Sequence, residues 1–323
     1  MAMQLLQAQQ QQQQQQQDAG PAPGAHVAVR GVSFHPPGAD APLLQDVSLD
    51  LRPNQLGLVL GRSGSGKTTL LQLLAGLTEQ TAGQVYVWRG GGGGGGGAVD
   101  AGEGRAADLT DGAAGSAAPL NASSSLPPPG VLPAAVEDRM RRVGLVFQFP
   151  ERHFVGGDLL TELTFGWPRG ADPQAWAERA SLSARLDRVA RAVGLDVIPL
   201  DQAPSSLSGG QQRKVALAIQ LARRPALLLL DEPLAGLDWR ARQEVVALLR
   251  LVKRECTVLV VSHDLREVAP LVDVAWRMRP GGRLEGVAWP PPQGAEGDGL
   301  SAWEEAVCGS SSSSSSSSSA SES

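Results

Sequence analysis

From His26 to Phe34 and from Leu43 to Leu51 apolar side chains recur at the two-residue period of a half-buried strand: Val27, Val29 and Val32, then Val47, Leu49 and Leu51. Two β-strands are predicted there. Gln55 to Leu60 is a short apolar run entering a Gly-rich turn. Lys67 to Gly76 follows with leucines at 70, 71, 73 and 74, the mark of a buried helix stopped by glycine. Gln84 to Trp88 reads as another strand. The pattern then breaks: Gly90 to Gly97 and the Ala, Gly, Ser and Pro-rich stretch to Pro133 suit no periodic element, so residues 89–135 are predicted to be a flexible insertion. The glycine run is not a phosphate cradle, because no helix follows it.

Structure is predicted to resume at Arg141 with a strand from Val143 to Phe147. A helix-rich region from Asp158 to Gly194 follows, broken near Trp167-Pro168. Ser208 to Arg224 and Trp239 to Arg254 read as helices, and Leu227 to Leu230 and Thr257 to Val261 as strands buried on both faces. Strands alternating with helices predict an α/β fold with a mainly parallel core sheet. Residues 26–286 form the predicted domain. Residues 1–25, with the glutamines Gln9 to Gln17, and residues 287–323, with the serines Ser310 to Ser319, are predicted to be disordered flanks.

Charge narrows the function. Lys+Arg 28 against Asp+Glu 33 gives a net charge of -5, so no global positive field exists to hold a nucleic acid. No apolar run reaches the roughly 18–20 residues of a membrane span. The longest, Val215 to Leu230, is interrupted by Arg223 and Arg224. Work at a membrane would need a span supplied by another chain. Cys256 and Cys308 stand in no metal-ligand spacing and fit a reducing compartment. The N-terminal segment lacks the arginines and serines of an organelle-targeting peptide, the first arginine being Arg30.

Three motifs carry chemistry. Gly61-Arg62-Ser63-Gly64-Ser65-Gly66-Lys67-Thr68-Thr69 fits the GxxxxGK[ST] phosphate loop and lies between a strand and a helix, where the mechanism needs it. Its backbone N–H groups can turn toward phosphates, Lys67 adds a compact charge, and the Thr68 hydroxyl suits Mg²⁺. Leu227 to Leu230 ends in Asp231-Glu232, two carboxylates whose desolvation asks for a cation or a water. Asp231 suits the Mg²⁺ shell and Glu232 the general base. Leu207-Ser208-Gly209-Gly210-Gln211 reads first as a capping box, with Ser208 at the N-cap. Its two glycines also bare a helix N-terminus to a second anion.

In this order the three motifs resemble the ATP-binding subunit of an ABC transporter, over about Val27 to Gly286. The resemblance implies a P-loop ABC ATPase fold with an antiparallel β-subdomain and a helical signature subdomain. It implies ATP and Mg²⁺ as cofactors, a head-to-tail dimer with itself or a paralogue, and an integral membrane partner. The signature loop Ser208 to Gln211 of one copy would cap ATP held on the phosphate loop of the other. The family's motifs also place Gln148 at the Q-loop, with Mg²⁺ and the attacking water, Asp238 at the D-loop, and His263 as the switch histidine on the γ-phosphate. The family's adenine-stacking position is Pro36 here, which leaves Phe34 or His35 as substitutes. Val143 to Phe154 resembles the energy-coupling-factor ATPases, with Phe149 to Phe154 at the coupling groove. Thr164 to Pro168 and Ser262 to Glu267 are similar to the chloroplast branch of the ABC transporter I family, which implies a plastid location. The alternative is a soluble ABC ATPase outside transport, such as an iron–sulfur assembly type. A phosphate-loop kinase would leave Leu207 to Gln211 and His263 unexplained.

Overall fold

The computed structural model describes residues 24–89, 127–128, 131–263 and 266–290. Most of the predicted insertion and flanks therefore lies outside the described residues. The strands are β1 His26–Phe34, β2 Leu44–Leu51, β3 Leu56–Gly61, β4 Ala82–Trp88, β5 Val143–Val146, β6 Leu227–Asp231, β7 Thr257–Val261, β8 Val274–Met278 and β9 Leu284–Val287. The helices are α1 Lys67–Ala75, α2 Val136–Arg142, α3 Leu159–Leu163, α4 Pro173–Val193, α5 Gly209–Ala222 and α6 Trp239–Val252.

Six strands form one sheet in the order β5-β6-β7-β3-β8-β9, parallel except for β9. Three form an antiparallel sheet in the order β2-β1-β4. Two apolar clusters explain the continuous hydrophobic runs. Leu56, Leu58, Leu60, Leu228, Leu230, Val258 and Val260 point into a cluster shared with α5 and α6. Val59, Leu227, Leu229, Leu259 and Val261 point into the other, shared with α1 and the antiparallel sheet. A strand buried on both faces has no polar face left to show.

Helix α1 starts at Lys67 and is capped by Gly76 in the left-handed conformation (φ 78°). Helix α4 starts at the Asp172 N-cap and ends at Gly194 (φ 71°). Three elements differ from the sequence reading. β8 and β9 were not foreseen, because the polar Arg277 interrupts the first and the second is the short Leu-Glu-Gly-Val. Helix α2 is polar along most of its length and has no apolar period. At the margins, Ala25 is buried and its N–H donates to the Ala226 carbonyl at 3.1 Å, while the Trp289 indole donates to the Val272 carbonyl at 2.9 Å. The packed unit thus extends slightly past both predicted edges.

Arg139 on α2 is buried, with 1% of its surface exposed, beneath the last turn of α1. Its guanidinium donates to the Leu73 carbonyl at 2.6 Å and to Gln80 Oε1 at 3.1 Å. It thereby adds a charged second donor to a last-turn carbonyl that otherwise accepts only from the Gly76 N–H of the cap, at 3.1 Å. Arg139→Met keeps the bulk and removes both bonds, and urea denaturation should show a loss of about 2 kcal/mol. An unchanged midpoint would refute this role.

Candidate active site

In a parallel sheet the loops at the carboxyl ends of neighbouring strands share one edge, where open α/β proteins bind ligands. The phosphate loop leaves β3 at that edge. Asp231 and Glu232 end β6, and Ser262 and His263 follow β7. In β5, Val146 pairs with Leu230, so Gln148 and Glu232 each lie two residues beyond that pair. Residues up to 202 positions apart in the chain are gathered by sheet register alone.

Local chemistry shapes the loop. Gly66 has φ 99°, and a Cβ there would lie 2.8 Å from Leu44 Cδ2, so only glycine lets the turn approach β2. A Cβ at Gly61 would lie 2.7 Å from the Met278 carbonyl. Lys67 is buried and its Nζ donates to the carbonyls of Gly61 at 2.8 Å and Arg62 at 2.9 Å. Ser65 Oγ is buried without a hydrogen-bond partner, an orphan donor facing a loop built for anions. Thr68 Oγ1 donates to Asp231 Oδ2 at 2.8 Å.

Asp231 is buried, and burial pushes its carboxyl above the ordinary value of 3.8. The Glu232 charge acts in the same direction, while the Thr68 hydrogen bond and the Lys67 and Arg213 charges oppose it. Glu232 has a left-handed backbone, φ 46°, which is uncommon for a non-glycine residue. Its carboxylate is held by Ser262 Oγ at 3.2 Å, by the His263 N–H at 3.3 Å and by His263 Nδ1 at 2.7 Å. A hydrogen-bonded carboxylate and imidazole in a strained turn make a candidate acid–base pair.

Two predicted site segments have visible structural duties. Ser208 and Gln211 form a complete capping box: Ser208 Oγ accepts from the Gln211 N–H at 3.3 Å, and Gln211 Oε1 accepts from the Ser208 N–H at 2.9 Å. Asp238 is the N-cap of α6, its Oδ1 accepting from the Ala241 N–H at 2.8 Å. Gly210 lies close to α6, where a Cβ would come within 3.0 Å of Ala241. Of the two aromatic substitutes for Pro36, Phe34 packs on the core, while His35 is exposed and bonded to the Ala39 carbonyl at 2.7 Å. Within its own copy, Ser208 to Gln211 is occupied by the α5 cap.

Sequence reasoning passed over Arg213. This buried arginine of α5 donates to the carbonyls of Phe147 at 3.2 Å, Gln148 at 2.5 Å and Ala235 at 3.1 Å. One side chain thus joins the helix of Ser208 to Gln211, the residue predicted to sense water, and the turn before Asp238. The available signal was an arginine entering an otherwise apolar helix face, at Arg213-Lys214-Val215.

These features define a phosphate-loop nucleotide-binding α/β cassette. A family model described as ABC transporter matches residues 44–235, from the edge of the antiparallel sheet through Asp231 and Glu232. The chain is 47% identical over 266 residues to ABC transporter I family member 11, chloroplastic, of Arabidopsis thaliana, covering 82% of each. It is 34% identical over 231 residues to the energy-coupling factor transporter ATP-binding protein EcfA2 of Symbiobacterium thermophilum, covering 71% of this chain and 66% of that one. Among solved structures, cbiO1 of Clostridium perfringens, described as part of the ABC transporter complex cbiONQ, shares the fold. Its TM-score is 0.59 at 20% identity, covering 81% of this chain and 87% of that one. The chain belongs to the ABC transporter family and is a nucleotide-binding, transport-associated ATPase of that family. No helix among the described residues is long and apolar enough to cross a membrane.

Two outcomes test this geometry. A carboxyl whose folded value is raised favours its protonated form, so Asp231 weakens the fold as pH rises from 3.8 through its folded value. Asp231→Asn should therefore raise the urea midpoint of the ligand-free protein at pH 7, with the gain vanishing below pH 3.8. A gain that persists in acid would contradict the electrostatic origin. Arg213→Lys keeps the charge but not the fork, and should lower kcat about tenfold with KM for ATP little changed. A rise in KM alone would show that Arg213 shapes the nucleotide pocket instead.

Proposed function

We propose that this chain is the motor subunit of an energy-coupling-factor-like transporter. In this reading Gly61, Arg62, Ser63, Gly64, Ser65, Gly66, Lys67, Thr68 and Thr69 bind the ATP phosphates. Ser208, Gly209, Gly210 and Gln211 of a second copy or a paralogue cap them, with Asp238 beside that junction. Thr68, Asp231 and Gln148 are the Mg²⁺ ligands. Two hard oxygens already 2.8 Å apart, one of them a buried carboxylate short of charge compensation, suit a cation that keeps several waters and phosphate oxygens. When bound, Mg²⁺ would neutralise charge on the phosphates.

Glu232 accepts the proton of the attacking water, while His263 holds the carboxylate by its Nδ1 and meets the γ-phosphate. The observation that carries this reading is the Glu232–His263 contact at the edge that also bears the phosphate loop and the Thr68–Asp231 pair. Phe149 to Phe154 then transmits closure to an integral membrane partner. Glu162 supports that segment: its buried Oε2 accepts from the N–H groups of Val155 at 2.8 Å and Gly156 at 2.7 Å. Phe149, Val155 and Leu160 are exposed around it, an apolar surface fit for a partner. A plastid location follows the chloroplastic relative.

Glu232→Gln should cut ATP hydrolysis at least about a hundredfold, leave ATP affinity nearly unchanged and trap a dimer with MgATP in sedimentation. Unchanged turnover would overturn the base assignment. Ser208→Arg should abolish that dimer while a fluorescent ATP analogue still binds. Recovery of the native chain from gently solubilised membranes with a stoichiometric polytopic protein would establish the transport role, and recovery only in soluble complexes would refute it.

A further inference from the structure

A cavity of about 450 Å³ is lined by no residue of the phosphate loop. It opens between the starting end of the edge strand β5, the carboxyl end of α5 and one flank of α4. Among the described residues β5 pairs only with β6, so the cavity forms against the outer edge of the sheet. Three arginines reach it from three elements: Arg141 from α2, Arg185 from α4 and Arg223 from the C-cap of α5. Glu178 is the one acidic residue in the lining. Met140, Trp167, Pro168 and Leu182 provide apolar walls.

Two details point to a missing anion, and a third shows how the chain seats Arg223, whose Nη2 donates to the Phe165 carbonyl at 3.4 Å. Arg185 Nε is buried and has no hydrogen-bond partner. Burial holds the Arg185 guanidinium below its ordinary value, and the charges of Arg224 and Arg188 press it the same way against the single opposing charge of Glu178. The third is steric. A Cβ at Gly166, where φ is 79°, would come within 2.9 Å of Arg223 Nη2, so the turn before Trp167 makes room for that guanidinium. Of the three lining arginines, Arg185 is half-buried while Arg141 and Arg223 are exposed at the mouth, so an anion drawn in by the outer two would meet and compensate the desolvated one. The volume falls within the range of small-molecule pockets, and arginine's planar fork matches phosphate and carboxylate oxygens.

We propose that this cavity binds a small organic anion, with its phosphate or carboxylate head on Arg185, Arg223 and Arg141 and its flat apolar body against Trp167 and Leu182. The site is separate from the nucleotide and does not depend on the catalytic roles assigned above. It is nevertheless mechanically connected to them: Arg223 ends the helix that Ser208 begins, ~20 Å away at the α-helical rise. An anion bridging α4 to α5 would fix the helical layer against the sheet edge.

Calorimetry on the full chain, with the phosphate loop first saturated by MgADP, tests the proposal with phenyl phosphate, benzoate and inorganic phosphate as probes. One-site binding of phenyl phosphate or benzoate with Kd below about 1 mM is expected. Whichever binds more tightly identifies the head group. Arg185→Gln should weaken binding about tenfold, Arg185→Lys less, and Arg240→Gln, an exposed change on α6, not at all. Circular dichroism of each variant confirms that the fold is intact. No saturable heat by about 10 mM probe would overturn the site, as would equal affinity in the Arg185→Gln variant. Inorganic phosphate binding as tightly as phenyl phosphate would overturn the role given to Trp167 and Leu182.

Discussion

The structure turns on the desolvation of two adjacent carboxylates at the end of a strand with no polar face. Asp231 ends the strand Leu227–Asp231, whose five residues are all buried, and Glu232 follows it directly. Removing charge from water is tolerable only where each oxygen finds a donor. The surrounding elements supply donors to both Glu232 oxygens and to Asp231 Oδ2. Thr68, from the second residue of α1, reaches Asp231, and Ser262 and His263, from the end of β7, reach Glu232. The sheet order places β6 beside β7 and β7 beside β3, so the donors come from the two next strands rather than from distant loops. The left-handed backbone at Glu232 is part of the same solution, since it turns successive carboxylates toward different partners.

Buried arginines then tie the layers together. Arg139 joins α2 to the end of α1, and Arg213 joins α5 to the loops that follow β5 and β6. Both use the guanidinium as a multiple donor to backbone carbonyls, a role that the single point charge of a lysine fills poorly. The phosphate-loop helix is thereby anchored at its carboxyl end and left open at its amino end.

Much of this was legible in sequence because the signals were local. A Gly-rich turn between an apolar strand and a leucine-rich helix, an apolar run closed by Asp-Glu, and Ser-Gly-Gly-Gln before a helix each carry their own physical reason. β3, β6, β7, α1 and α5 follow from them to within about two residues. What stayed hidden depends on partners remote in the chain. Arg213 is marked as a tie only once the Gln148 and Ala235 carbonyls are beside it, and Glu162 only once the Val155 and Gly156 N–H groups are. β9 is four residues, none of them buried, with no apolar run, and it is a strand because β8 offers it an edge. The arginine cavity likewise needs three elements to meet.

Apart from Ser65 Oγ, the polar groups of the site named here are engaged with one another rather than waiting. Lys67 is bonded to the carbonyls of its own loop, Thr68 to Asp231, Glu232 to His263, and Ser208 to Gln211. A nucleotide entering here exchanges these bonds for its own, so the net free energy of each contact is small compared with its gross strength. The exchange is directional, however. On the proposed function, drawing Thr68 toward phosphate would leave Asp231 short of its donor, and a histidine called to a γ-phosphate would loosen its hold on Glu232. Binding energy would then be converted into rearrangement of the elements that carry these residues, and the Arg213 bonds to the Gln148 and Ala235 carbonyls would carry it to the segment beyond β5. A motor requires this property: ligand contacts that differ between two arrangements of the same chain.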